Sequence, residues 1–163
     1  MTSTWNADTR LAGRRVLITG ASSGIGAAVA QRVAAAGGYV ALLARRAERL
    51  REITESLGEH AVAVPCDITE DAALRNAVSE AAAALGGLDA IVANAGAAHM
   101  GHIATGDPAV WREFIDLNVL ACLSSVRYGL DHLTAKPADV ILVGSTAARW
   151  PVAATGIYSA AKT

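Results

Sequence analysis

Val16–Gly26 reads VLITGASSGIG. Val16 to Thr19 are apolar or β-branched and read as a short buried strand, which Gly20 breaks. Gly24 and Gly26 follow, and Ala27–Ala36 reads as a helix. A strand, a glycine turn and a helix start in that order make a turn suited to phosphate, because the unpaired amides of a first helical turn face an anion. Gly20 allows the tight turn, and Gly24 lets a pyrophosphate touch the backbone. Gly26, next to Ile25, lets helix and strand close up, since no Cβ intervenes. Thr19, Ser22 and Ser23 add hydroxyls that can bond the turn or the phosphate. The spacing is G-x-x-x-G-x-G, and such a pattern alone also suits an ordinary strand-to-helix turn. The rest of the chain has to decide.

The chain has 163 residues, enough for one domain with a real core. Its 53% hydrophobic content excludes a disordered chain. A net charge of −1 offers no electrostatic case for nucleic acid or an anionic membrane. Cys66 and Cys122 are far apart and match no metal spacing, so they read as core fillers in a reducing, cytoplasmic setting. Charges or glycines break every alanine-rich stretch well short of the ~20 apolar residues a membrane helix needs. Residues 1–14 lack the apolar core of a signal peptide. They read as a polar N-terminal lead-in, mobile until Arg15 enters the first strand, with 15–163 forming one dinucleotide-binding domain.

Further strands are expected at Tyr39–Ala44, Ala61–Pro65, Leu88–Ala93 and Ala138–Val143, each ended by glycine, proline or polar residues. Helices are expected near Ala47–Leu57, from an N-cap at Thr69 to about Leu85, and from Pro108 to roughly Leu133, with Asp107 as cap. A last helix opens at Thr155 or Gly156. The strands are continuous apolar runs, the pattern of strands covered by helices on both faces. Right-handed crossovers then give an α/β fold, a doubly wound parallel sheet of order 3-2-1-4-5 in three αβα layers. Ligands in such sheets bind beyond the carboxyl ends of the strands, at the switch between strands 1 and 4.

Tyr158 and Lys162 stand four apart and share a helix face. A free tyrosine titrates near ~10, too high for a base at neutral pH, and an ammonium one turn away favours the phenolate. Such a tyrosine can donate or accept a proton. Ser145, at a strand end, can hydrogen-bond a substrate oxygen as charge develops there. The pair alone would pass for a solvated helix face.

TGASSGIG at Thr19–Gly26, NAG at Asn94–Gly96, Asn118, Ser145 and YSAAK at Tyr158–Lys162 occur in one order. In these motifs the chain resembles the short-chain dehydrogenase/reductase family over nearly all its length, with a Rossmann sheet. The resemblance implies Tyr158 as proton donor or acceptor, Lys162 holding the nicotinamide ribose, Ser145 polarising the substrate oxygen, and Asn118 supporting a water-linked proton path to Lys162. It implies that Asp67 and Ile68 border the adenine, that Asn94 braces the central strands, and that Asn94, Ala95 and Gly96 contact the cofactor. It also implies a small carbonyl or alcohol substrate and a homo-oligomer.

Arg45 and Arg46 follow the second strand, where an NAD site usually has an acid. A 2′-phosphate would give them charge-assisted, bidentate contacts. NADP(H) is therefore the expected cofactor, with NAD(H) as second choice; the alternative is two solvated arginines pairing with Glu48 or Glu52. His99 and His102 lie in a loop with no third ligand nearby, so no metal site is expected. Trp111 and Phe114 read as packing residues. The family continues beyond the position of Thr163 with further strands, so the fifth strand is expected to be an open apolar edge. Two expectations follow: an NADP(H)-dependent oxidoreductase, or a truncated nucleotide-binding fragment without useful turnover.

Overall fold

Arg15–Thr19 (β1) lies at the middle of a parallel sheet and pairs on one side with Tyr39–Ala44 (β2) and on the other with Ala90–Ala93 (β4). Ala61–Pro65 (β3) flanks β2 and Asp139–Leu142 (β5) flanks β4, giving the expected order β3-β2-β1-β4-β5. This computed structural model describes residues 11–134 and 137–163. Among the described residues six α-helical segments connect and cover the strands: Gly24–Ala35 (α1), Ala47–Leu57 (α2), Asp71–Leu85 (α3), Pro108–Ile115 (α4), Ala121–Leu130 (α5) and Gly156–Lys162 (α6).

Alternation along the strands separates two cores. Leu17, Leu43, Val64 and Ile91 pack with Leu74 and Val78 of α3 and Ala121 of α5. Ile18, Leu42 and Val92 face the other way, onto Ala30 and Val33 of α1 and Leu50 of α2. Both faces being covered explains the uninterrupted apolar strands and makes the three-layer, doubly wound architecture. On β5, Val140, Ile141 and Leu142 are exposed, as expected of an apolar edge.

Five expectations need correction. The first helix starts at Gly24 rather than Ala27, because the chain turns into it directly from an extended Ser23. The third helix is capped at Glu70, not Thr69, whose N–H and hydroxyl both donate to Asp67 Oδ1 at 3.1 and 2.8 Å. The long helix is two segments joined by a π-helical turn, Asp116–Leu120, and ends at Leu130; β4 begins at Ala90, with Leu88 only bridging Leu133. Finally, the end of the polar lead-in is fixed. Gly13 N–H donates to the Gly37 carbonyl at 2.9 Å and Tyr39 N–H to the Arg14 carbonyl at 2.7 Å. The rest of the lead-in, 1–10, lies outside the described residues.

The rim of the sheet away from the expected ligand edge is tied by charge. Arg15 donates from Nη2 to Asp89 Oδ1 at 2.7 Å and from Nε to Oδ2 at 3.0 Å, and its backbone N–H adds a bond to Oδ2 at 2.9 Å. These bonds outweigh burial and hold the Asp89 carboxyl at about 2, below its ordinary 3.8. A carboxylate depressed in the folded state stabilises above its unfolded pKa, and that stability drains as pH falls toward 2. Asp89→Asn should therefore lower unfolding free energy at pH 7 by about 2 kcal/mol, with the gap closing between about pH 4 and 2. Urea titrations at pH 7 and pH 3 check this; a constant gap would contradict it.

Candidate active site

Thr19 ends β1 fully buried. Its Oγ1 accepts the N–H groups of Asn94 and Ala95, each at 3.1 Å. Asn94 Nδ2 answers by donating to the carbonyls of Thr19 at 3.0 Å and Gly20 at 3.3 Å. The β1 turn and the loop after β4 are thereby fastened together. The Thr19 hydroxyl oxygen thereby braces that loop. A Cβ on Gly20 would come within 2.7 Å of Ala95 Cα, and one on Gly26 within 2.6 Å of the Gly20 carbonyl. Gly24 is different. Its φ is +57° and a Cβ there would meet nothing within 4 Å. The turn thus presents bare backbone to open space at the start of α1, a cradle that fits a phosphate.

Two adjoining cavities of about 260 and 230 Å³ share Gly20, Ser23, Ala95, Gly96 and Ala97. The first also takes in Ile25, Asn94, Tyr158 and Lys162, and the second Ser22, Arg45, Arg46, Asp67 and Ile68. Together they form one groove along the carboxyl edge of the sheet. At one end Arg46 Nη2 donates to Ser22 Oγ at 2.9 Å and Ser23 Oγ at 2.7 Å, so its fork rests against the glycine turn. Arg45 Nη1 lies 3.8 Å from Asp67 Oδ2 and is largely exposed. Glu48 and Glu52 pair with Arg51 and Arg49, which corrects the alternative that they hold Arg45 and Arg46. Burial alone would raise the Asp67 carboxyl; the Thr69 hydrogen bonds and the Arg45 charge outweigh it and leave the group below its ordinary value. Cys66, beside it, is buried, and that burial pushes its thiol up.

At the other end α6 carries Tyr158 and Lys162 into the first cavity. The Tyr158 hydroxyl has no hydrogen-bond partner among the described residues. Lys162 Nζ donates to the Val143 carbonyl at 3.3 Å. A Cβ on Gly96 would lie 2.6 Å from Asn118 Oδ1 and 3.1 Å from Lys162 Nζ, so both side chains converge on that backbone. Asn118 is buried in the π-helical turn, accepts the Ala97 N–H at 3.2 Å and donates to the Phe114 carbonyl at 3.0 Å. Ser145 stands apart. Its Oγ accepts the Ala147 N–H at 3.2 Å and caps a short 3₁₀ turn, and it lines neither cavity, although Val143 and Gly144 before it line the first.

Residues 14–163 match the short chain dehydrogenase family. The chain belongs to that family. A short chain dehydrogenase from Burkholderia cenocepacia J2315, solved in complex with NADP, is 37% identical with a TM-score of 0.87, covering 94% of this chain and 64% of that one. The 3-ketoacyl-(acyl-carrier-protein) reductase from Brucella melitensis, complexed with NADH, is 30% identical with a TM-score of 0.88, covering 93% and 65%. The NADP-dependent 3-hydroxy acid dehydrogenase of Shigella flexneri is 32% identical over 151 residues, which are 90% of this chain and 60% of that protein. The chain spans about three fifths of the length of these relatives.

The groove thus brings together Gly20, Ser22, Ser23, Ile25, Arg45, Arg46, Asp67, Ile68, Asn94, Ala95, Gly96, Tyr158 and Lys162, whereas Thr19, Gly24, Gly26, Asn118 and Ser145 line neither cavity. Two contacts escaped the sequence reading. One is the Val143 carbonyl that receives Lys162; a backbone acceptor leaves no mark in a sequence. The other is Phe114, read only as packing, whose ring meets Tyr158 edge-on with centroids 6.2 Å apart. Its place four residues before Asn118 was the available signal.

The glycine turn makes a direct comparison. Gly26→Ala forces backbone apart and should lower stability by about 2–3 kcal/mol, whereas Gly24→Ala meets only its positive φ and should lower it by about 1 kcal/mol. Urea unfolding of the two variants checks the order; the reverse order would contradict the packing described.

Proposed function

We propose that this chain carries the nucleotide site and proton-transfer residues of an NADP(H)-dependent oxidoreductase that interconverts a carbonyl and an alcohol. The observation that supports it most is the groove itself: Tyr158 and Lys162 share a cavity with the glycine turn, and that cavity continues to Arg45, Arg46 and Asp67. The nicotinamide of a bound nucleotide supplies or accepts the hydride. Tyr158, whose hydroxyl is uncommitted, gives its proton to the substrate oxygen in reduction and takes it back in oxidation. Lys162 brings positive charge to the same cavity and holds the ribose, and Asn118 supports a water-linked proton path toward it. Ser145 keeps its hydroxyl proton to donate to the substrate oxygen.

At the far end the Arg46 fork, steadied by Ser22 and Ser23, takes a 2′-phosphate together with Arg45, while Asp67 and Ile68 border the adenine. Solved relatives hold NADP or NADH, so the preference rests on these arginines, and NAD(H) is the second choice. A second reading, a nucleotide-binding chain without useful turnover, draws on Ser145 lying outside the groove lining.

Fluorescence titration and an aldehyde and ketone panel separate these readings. NADPH should bind at least about tenfold more tightly than NADH, and Arg45→Asp with Arg46→Ala should remove that ratio. Tyr158→Phe should keep NADPH affinity and lose about 10²-fold or more in kcat. An unchanged nucleotide ratio would overturn the cofactor assignment. Turnover that survives Tyr158→Phe would overturn the role of the phenol, and binding without turnover in the parent would establish the second reading.

A further inference from the structure

Tyr158 sits on a helix of seven residues, too short to fix its own side chains without tertiary support. Its ends are anchored. Ile103 packs over Gly156, where a Cβ would come within 2.9 Å of its Cδ1, and Lys162 bonds the Val143 carbonyl. In the first turn Thr155 Oγ1 lies 3.2 Å from Ser159 Oγ. None of these contacts touches the phenol ring. The hydroxyl has no partner among the described residues, so no hydrogen bond orients it either.

The Tyr158 ring meets that of Phe114. The two centroids are 6.2 Å apart with the planes at 74°, an edge-on arrangement aromatic quadrupoles favour. Phe114 is itself held. It is 7% exposed, its carbonyl accepts Asn118 Nδ2 at 3.0 Å, and the His99 ring lies 6.0 Å away at 55°. The same residue therefore fixes the amide that meets Lys162 at Gly96 and the ring that bears the reacting hydroxyl. We propose that Phe114 is a positioning residue for Tyr158, setting the phenol's direction into the groove; this rests on the oxidoreductase reading above. A proton donor has to lie within hydrogen-bond reach of the substrate oxygen, so a tilt of the ring acts on the chemical step and leaves the nucleotide turn untouched.

The test replaces the ring and keeps its bulk. In the full chain, Phe114→Leu should lower kcat about three- to tenfold for whichever panel carbonyl the parent reduces fastest with NADPH. NADPH affinity should stay within about twofold, as the arginine and glycine contacts lie elsewhere in the groove. Phe114→Tyr, which restores a ring, should recover most of the lost kcat. A Phe114→Leu enzyme with parental kcat would overturn the proposal, as would a loss that Phe114→Tyr fails to restore or one matched by lost NADPH affinity. Tyr158→Phe run in parallel separates the two levels. If that variant keeps turnover, the role of the phenol fails, and if the parent has none, the oxidoreductase reading fails; the role of Phe114 falls with either. If Tyr158→Phe is inactive while Phe114→Leu is normal, only Phe114's role fails.

Discussion

The clasp between Thr19 and Asn94 is the constraint on which the rest of the site depends. Two parallel strands can stay paired only where their ladder continues, and β1 and β4 both end here. Beyond that point the Thr19 hydroxyl and the Asn94 amide take over, exchanging four hydrogen bonds between the two loops at 3.0 to 3.3 Å. They bring the glycine turn and the Asn94–Gly96 loop so close that side chains are excluded at Gly20 and Gly26, while Asn118 and Lys162 leave no room for one at Gly96. The groove floor is consequently bare backbone, which is what a charged, close-fitting ligand requires of its binding surface.

Around that floor the polar groups are distributed by need. Asn94 and Asn118 spend their amides on backbone groups, at the end of β1, in α4 and in the loop after β4. No buried side-chain nitrogen or oxygen is left without a partner among the described residues. The groups near the surface of the groove are the Tyr158 hydroxyl, the amides at the start of α1 and the largely exposed Arg45 guanidinium, which faces Asp67 at 3.8 Å.

The sequence was most readable where glycine or proline punctuates it. β2, α2 and β3 have the boundaries that Gly37-Gly38, Gly58 and Pro65 announce. The cover of helices on both faces followed from the apolar runs, and the order of the strands from right-handed crossovers. The π-helical turn at Asp116–Leu120 could not be read. Nothing in DLNVL breaks an α-helix locally, and the extra residue is stabilised by the loop amide that Asn118 reaches. Leu11–Arg14 was misjudged for the same kind of reason: its order comes from backbone bonds to Gly37 and Tyr39, far along the chain. At the site, residue identities were legible from motif spacing, while their partners were not. Spacing names Lys162 and the family resemblance names Asn118; only the folded chain shows both arriving at Gly96.

The central claim is that a single groove runs along the carboxyl edge of the sheet, with a cationic end at Arg45 and Arg46 and a reactive end at Tyr158 and Lys162. A crystal structure with NADP⁺ bound tests it most directly. The account predicts the 2′-phosphate within hydrogen-bond distance of Arg45 or Arg46, the pyrophosphate over Gly24, and the nicotinamide beside Tyr158 and Gly96. A nucleotide lying the other way round, or seated away from the glycine turn, would contradict it.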